Sequence, residues 1–276
     1  MKKRILIIVR TLAITYAALV LLVAGCQNTL LYHPSRGSES DMLAHAMRNN
    51  IEPWRDEKGN IIGWQRPNPR ATARLVVFHG NAGEAMHRSY YIDAFQSLDG
   101  GAKWEVFLFE YPGYGARPGD VGRKSFLTAG KAAVEELLAT DTRPVFILGE
   151  SVGSGVASDI VDALPTRIAG LALVTPFARM QEVAHAQFPW LPTSLILRDK
   201  YDNIAALAHY PGPVAIVIAA EDEVVGPDQG RKLHDNYPGR KTLITLPGVG
   251  HNYLPTGRNA EWFQRISDFL RSTSPK

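Results

Sequence analysis

The chain has 276 residues, 45% hydrophobic and 21% charged, a globular composition with material for one sizeable core. Its formal charge of +3 sits at one end: Lys2, Lys3, Arg4 and Arg10 fall in the first ten residues, and without these four the remainder stands at −1. A near-neutral body with no Lys/Arg stripe interleaved with aromatics argues against nucleic acid as a partner.

The amino terminus reads "MKKR" followed by "ILIIVRTLAITYAALVLLVAGC". A basic stretch, then a long apolar run ending in small residues, is the layout of a secretory leader rather than of a folded element. Cys26, the single cysteine, directly follows Val23-Ala24-Gly25. This stretch resembles a bacterial lipoprotein signal, cleaved ahead of a cysteine that then carries lipid. A lone cysteine has no intramolecular disulfide partner, which suits a thiol used as an anchor. Two alternatives stay open. Residues 5–23 approach the ~20 needed to cross a bilayer uncleaved, although Arg10 interrupts them, and the other alternative for Cys26 is merely a small buried residue. In either anchored form the basic end stays cytoplasmic and residues 27–276 face away from the cytoplasm, in the periplasm or cell envelope. The expected organisation is a signal peptide or membrane anchor over 1–25, the lipobox cysteine and a linker over 26–49, and one folded domain over 50–276.

From about residue 50 the sequence alternates regularly. "NIEPWRDEKGNIIGWQRP" predicts two short strands around a Lys58-Gly59-Asn60 turn. A continuous apolar strand is expected at 73–80, a helix at 85–98 and a strand at 104–110, the last stopped by the Pro- and Gly-rich "YPGYGARPGD". Residues 124–140 have amphipathic helical spacing. Strands follow at 144–150 and 167–176 with a helix between them. The series ends with a strand at 213–220, a helix near 227–236, a strand at 241–247 and a helix near 258–271. Doubly buried strands separated by helices predict a three-layer α/β domain on a mostly parallel sheet. The one irregular stretch, 177–211, is longer than an ordinary connection and is expected to be a short lid-like insertion. No internal repeat or second domain stands out.

"ILGESVGSG" places Ser151 between two glycines, after a buried strand and ahead of a helix rich in small residues. That strand–turn–helix context is what a nucleophile elbow requires, because the turn lifts the side chain above the carboxyl edge of the sheet. A tight turn serving only backbone geometry has the same local pattern, so partners must decide. A serine nucleophile needs a base, and His251 of "LPGVGHNYLP" alone among eight histidines sits in a Gly-rich loop leaving the final strand. The histidine needs an acid to fix its tautomer and stabilise the imidazolium. Asp222 in "IAAEDEVVGPD" is placed for this, with Glu221 and Glu223 as competitors. An anionic intermediate needs amide donors, and "FHGNAGE" supplies a loop after the strand at 73–80.

The order Ser151, Asp222, His251, with "HGNAG" upstream and "YPGYG" after the next strand, resembles the α/β-hydrolase superfamily, and within it small, membrane-anchored serine hydrolases with a short lid. The likeness spans roughly residues 50–272. It implies Ser151 as nucleophile, His251 as general base and acid, and Asp222 as the third member, in its Asp-Glu-Val-Val setting. It further implies the backbone amides of Asn81 and Val152 as oxyanion donors, His79 as a brace for its loop, and no metal or organic cofactor. Gly226 ahead of Pro227 departs from the family pattern, in which proline often follows the valines directly.

The implied reaction is hydrolysis of carboxylic esters or acyl thioesters through an acyl-enzyme, on a small acylated substrate, with a membrane as the other partner and no required protein partner evident. Phe188, Trp190, Leu191, Leu195, Ile196 and Leu197 of the insertion either wall an acyl pocket or pack the insertion onto the sheet. A serine peptidase on the same fold and a non-catalytic envelope lipoprotein are the alternatives, since fold does not choose the chemistry.

Overall fold

Eight strands make one sheet in the computed structural model, which describes residues 1–272. They are β1 (Glu52–Arg55), β2 (Ile61–Arg66), β3 (Ala73–Phe78), β4 (Trp104–Phe109), β5 (Val145–Glu150), β6 (Ile168–Val174), β7 (Val214–Ala219) and β8 (Lys241–Leu246). Their spatial order is β8-β7-β6-β5-β3-β4-β2-β1. The β1–β2 and β2–β4 pairs are antiparallel and every other pair is parallel. The expected α/β fold with a mainly parallel sheet is therefore observed, with an antiparallel hairpin on one edge.

The helices are α1 (Lys2–Gly25), α2 (Gln27–Leu31), α3 (Glu39–Arg48), α4 (Ser89–Ser97), α5 (Arg123–Thr140), α6 (Val152–Ala163), α7 (Met180–Gln187), α8 (Thr193–Ile196), α9 (Asn203–Leu207), α10 (Pro227–Asn236) and α11 (Glu261–Arg271). Successive strand side chains point to opposite faces, and here both faces are covered. Val76, Phe78, Phe107 and Phe109 pack with α5 and α6 through Val134, Val156 and Ile160. Leu75, Val77, Val106 and Leu108 pack with α4 and α11 through Tyr91, Phe95, Phe263 and Ile266. Double coverage explains why β3 to β7 read as largely apolar runs.

The amino-terminal region departs from expectation. α1 buries none of its residues and is long and apolar enough to cross a membrane, with a mean hydropathy of 2.4. Cys26 is exposed at the bend between α1 and α2. Residues 26–49, expected to form a linker, are instead packed against the body. The Gln27 amide donates to the carbonyls of Ala24 and Ile196 at 3.0 and 2.7 Å, and its oxygen accepts from the Arg198 amide at 2.8 Å. Buried Tyr32 donates to Asp199 at 2.6 Å. His33–Pro34 pair in parallel with Ala82–Gly83. α3, capped by Ser38, buries Met42 and Ala46. A tether would leave Gln27 and Tyr32 in water; here each has polar partners in the insertion, which makes its burial favourable.

Candidate active site

The carboxyl ends of β5, β7 and β8 bring Ser151, Asp222 and His251 together. Ser151 follows β5 directly and begins α6 with φ 52° and ψ −118°. A non-glycine residue at positive φ costs roughly 1–3 kcal/mol and persists only where its surroundings enforce it. Two glycines make that enforcement possible. A Cβ on Gly153 would stand 2.1 Å from the Phe78 carbonyl oxygen, and one on Gly149 would stand 2.4 Å from that of Gly153. α6 thus lies against β3 and β5 with no room for a methyl group. Gly153→Ala is expected to lower stability by about 1–3 kcal/mol or more, since overpacking against backbone pushes α6 off the end of β3. A thermal melt matching wild type would refute that account of the turn.

Asp222 lies in the loop after β7 and is nearly buried. Its Oδ1 accepts from the amides of Val224 and Val225 at 2.9 and 2.8 Å, leaving Oδ2 to meet His251 Nδ1 at 2.7 Å. Burial alone would raise the carboxyl's pKa. The hydrogen bond and charge of His251, aided by the two amides, outweigh it and hold the group below its ordinary value. An ionised carboxylate only accepts, so Nδ1 donates to it, Nε2 is the bare nitrogen, and Ser151 Oγ donates to Nε2 across 3.0 Å. Neither Glu221 nor Glu223 reaches the ring nitrogens; Glu223 accepts only from the His251 backbone amide, at 3.5 Å. Gly226, at φ 88°, leads into Pro227 at the first turn of α10, where the missing N–H costs nothing.

Asn81 and Val152 both line a cavity of about 310 Å³ at Ser151, and neither amide donates to another group among the described residues. The Asn81 loop is held by the motif that followed β4: the Tyr111 hydroxyl donates to the His79 carbonyl at 2.8 Å and that of Tyr114 to the Asn81 carbonyl at 2.7 Å. His79, buried beneath, donates from Nδ1 to the Gly80 carbonyl at 2.8 Å. The spacing of "YPGYG" marked a loop but gave no sign that its tyrosines reach back to "HGNAG".

Glu150 was missed altogether. It ends β5 beside Ser151, buried, and accepts from Arg88 Nε and Nη2 at 3.0 and 2.9 Å. Its other oxygen accepts from the hydroxyls of Tyr90 and Tyr91 at 2.8 and 3.0 Å. The one hint in the sequence is a carboxylate closing an otherwise apolar strand.

Two cavities meet at the serine. The polar one, about 240 Å³, is lined by Arg88, Tyr90, Glu150, Thr175 and Thr256. The other, about 310 Å³, is walled by Leu31, Phe177, Met180, Val183, Val224 and Val225. The apolar residues of the insertion divide: Phe188, Leu191, Ile196 and Leu197 line a groove beyond this second cavity, whereas Trp190 and Leu195 do not.

The family model for serine aminopeptidase S33 matches residues 69–201. An uncharacterized protein of Mycobacterium tuberculosis is 30% identical over 257 residues, covering 90% of this chain and 89% of that protein. The chain belongs to the α/β-hydrolase superfamily. α/β-Hydrolase domain-containing protein 17C of Xenopus laevis is 25% identical, over 80% of this hydrolase and 70% of the frog protein. Among solved structures, the Pyrococcus furiosus esterase PF2001 superimposes with a TM-score of 0.63 at 18% identity, over 87% of this chain and 97% of that one. Est1E of Butyrivibrio proteoclasticus gives 0.57 at 17%, over 80% and 92%. The fold is of the serine-hydrolase type.

Proposed function

We propose that this hydrolase cleaves carboxylic esters or acyl thioesters through an acyl-enzyme on Ser151. One observation carries the reading: the hydrogen-bonded row Asp222–His251–Ser151 ends where a polar and an apolar cavity meet. Ser151 Oγ attacks the carbonyl carbon while its proton passes to His251 Nε2, and the oxyanion is met by the amides of Asn81 and Val152. Collapse breaks the bond to the leaving oxygen or sulfur, which takes the proton from Nε2. Water then attacks the acyl-enzyme by the same route, giving its proton to Nε2, and Ser151 recovers a proton as the acid departs.

The serine aminopeptidase family model favours a second reading, cleavage next to a free amino terminus. An ammonium group needs an unpaired carboxylate to receive it. The carboxylate in the polar cavity, Glu150, already holds Arg88 and two tyrosines, which supports esters over aminoacyl substrates.

The amino-terminal segment supports a membrane location. An apolar helix with basic residues at its start and no residue buried, with an exposed cysteine at its end, suits either a cleaved leader with lipid on Cys26 or an uncleaved anchor. Either form leaves a catalytic domain beginning near residue 50, with 177–211 as its lid-like insertion, on the extracytoplasmic side.

The test is covalent labelling with a fluorophosphonate followed by peptide mapping, run beside turnover of p-nitrophenyl esters and aminoacyl-p-nitroanilides. A single Ser151 adduct with ester turnover is expected. Turnover of the anilides alone would hand the site to the peptidase reading, and a folded protein that takes no adduct would defeat both.

A further inference from the structure

The apolar cavity at Ser151 continues into a groove of about 250 Å³, and the two share Leu31, Met180, Val183 and Val224 as lining. One side of the groove is the insertion, through Phe188, Leu191, Ile196 and Leu197. The opposite side is the segment that leaves α1, through Gln27, Leu30 and Leu31. This second wall is rigidly placed, because the Gln27 amide bridges Ile196 and Arg198 while Tyr32 holds Asp199. Four residues of helix, a rise of about 6 Å, separate Leu30 from Cys26. The mouth of the groove therefore opens close to whatever fixes the amino terminus in a bilayer, be it lipid on Cys26 or α1 itself. The same region carries half-exposed Leu30, Phe188, Trp190 and Val224, and Tyr16 of α1 donates to the Trp190 carbonyl at 2.8 Å. Contiguous exposed apolar side chains with an aromatic at the rim mark a surface meant for a lipid phase rather than for water.

We propose that Leu30 and Leu31 form a wall of the acyl-chain site, so that this hydrolase receives the chain of a lipid-like ester or thioester from the membrane face that its own amino terminus occupies. The inference rests on the ester-cleaving reading and adds to it a chain direction, a substrate class and two specificity-determining residues outside the 50–272 domain. The acyl chain runs from Ser151 along Val183 and Leu31 toward Leu30. The leaving group lies on the other side of the serine, in the polar cavity beside Arg88.

The experiment uses the full chain in phosphatidylcholine vesicles and a long-alkyl fluorophosphonate carrying a diazirine at the far end of its chain. Ser151 Oγ displaces fluoride from phosphorus, the hydroxyl proton leaving through His251, and light then cross-links the chain end. Cross-links on Leu30, Leu31 or their neighbours across the groove are the expected result. A Ser151 adduct whose cross-links fall only on Thr175 and 252–256 would overturn the chain direction while leaving the esterase reading intact; no adduct at all would fail that reading first. A kinetic arm compares p-nitrophenyl palmitate with p-nitrophenyl acetate. Leu30→Asp is expected to lower the palmitate-to-acetate ratio of kcat/KM about tenfold or more, the scale of a lost apolar contact in a specificity pocket. Leu195→Asp, equally apolar-to-charged and on the facing insertion but off the groove, should leave the ratio unchanged. Equal falls in both variants would mean a general loss of membrane contact and would overturn the assigned wall.

Discussion

Ser151→Ala is expected to lower kcat for a p-nitrophenyl ester by a factor on the order of 10⁴ to 10⁶, with stability changed little. The size follows from what the hydroxyl does: it is the atom of the row that bonds to the carbonyl carbon, and without it His251 has no nucleophile to deprotonate. Asp222→Asn tests the far end. An amide there can donate as well as accept, so it no longer obliges Nδ1 to carry the proton, and a loss of ~10⁴ is expected. The carboxylate's pKa is held below its ordinary value, so acid loss of activity above the ordinary carboxylate range is not its titration. The three groups act as one unit, and their losses do not add. His251→Ala placed on Ser151→Ala should therefore cost almost nothing further. Two independent losses multiplying in the double variant would show that the row is not a relay.

What sequence revealed and what it hid divide along chain distance. β3 to β8 were visible because their apolar runs are local and their ends carry Gly, Pro and Asp. Ser151, Asp222 and His251 were visible because each sits just past the carboxyl end of a strand, where an open α/β sheet gathers its ligands. The residues alone leave Asp222 beside Glu221 and Glu223, and the resemblance of its Asp-Glu-Val-Val setting selects Asp222; what three dimensions add is how it is held, by the amides of Val224 and Val225 on one oxygen. The amino-terminal segment was misread as a linker because its hold is remote: Gln27 and Tyr32 find partners in a stretch about 170 residues away. No periodicity records such a contact. Glu150 was hidden for the same reason, as Arg88 lies on the 3₁₀ turn before α4, 62 residues upstream.

Arg88→Met is expected to destabilise the fold by about 3–5 kcal/mol, the usual cost of stranding one member of a buried ion pair. At roughly 2–4 °C per kcal/mol for a chain of this size, the melting point should fall by on the order of 10 °C. In the wild type, burial pushes the Glu150 carboxyl upward, but the Arg88 charge and hydrogen bonds, with those of Tyr90 and Tyr91, bring it below its ordinary 4.5. A depressed folded pKa contributes stability that is complete above 4.5 and fades only as pH falls through the lower folded value. Without Arg88 the burial effect prevails and the folded pKa rises above 4.5, so the carboxylate penalises folding at neutral pH and the penalty fades on acidification. The gap between Arg88→Met and wild type should thus be widest near neutrality and narrow as pH approaches the carboxylate range. Glu150→Gln removes the charge and keeps acceptor contacts for both tyrosines, so Arg88→Met/Glu150→Gln should be more stable than Arg88→Met alone. Its activity carries the functional half of the claim. Glu150 is joined to Ser151 by one peptide bond, so kcat should recover along with stability if the pair serves to seat the elbow. A double variant that regains its melting point and stays inactive would show that Arg88 acts on the leaving group it lies beside rather than through the elbow.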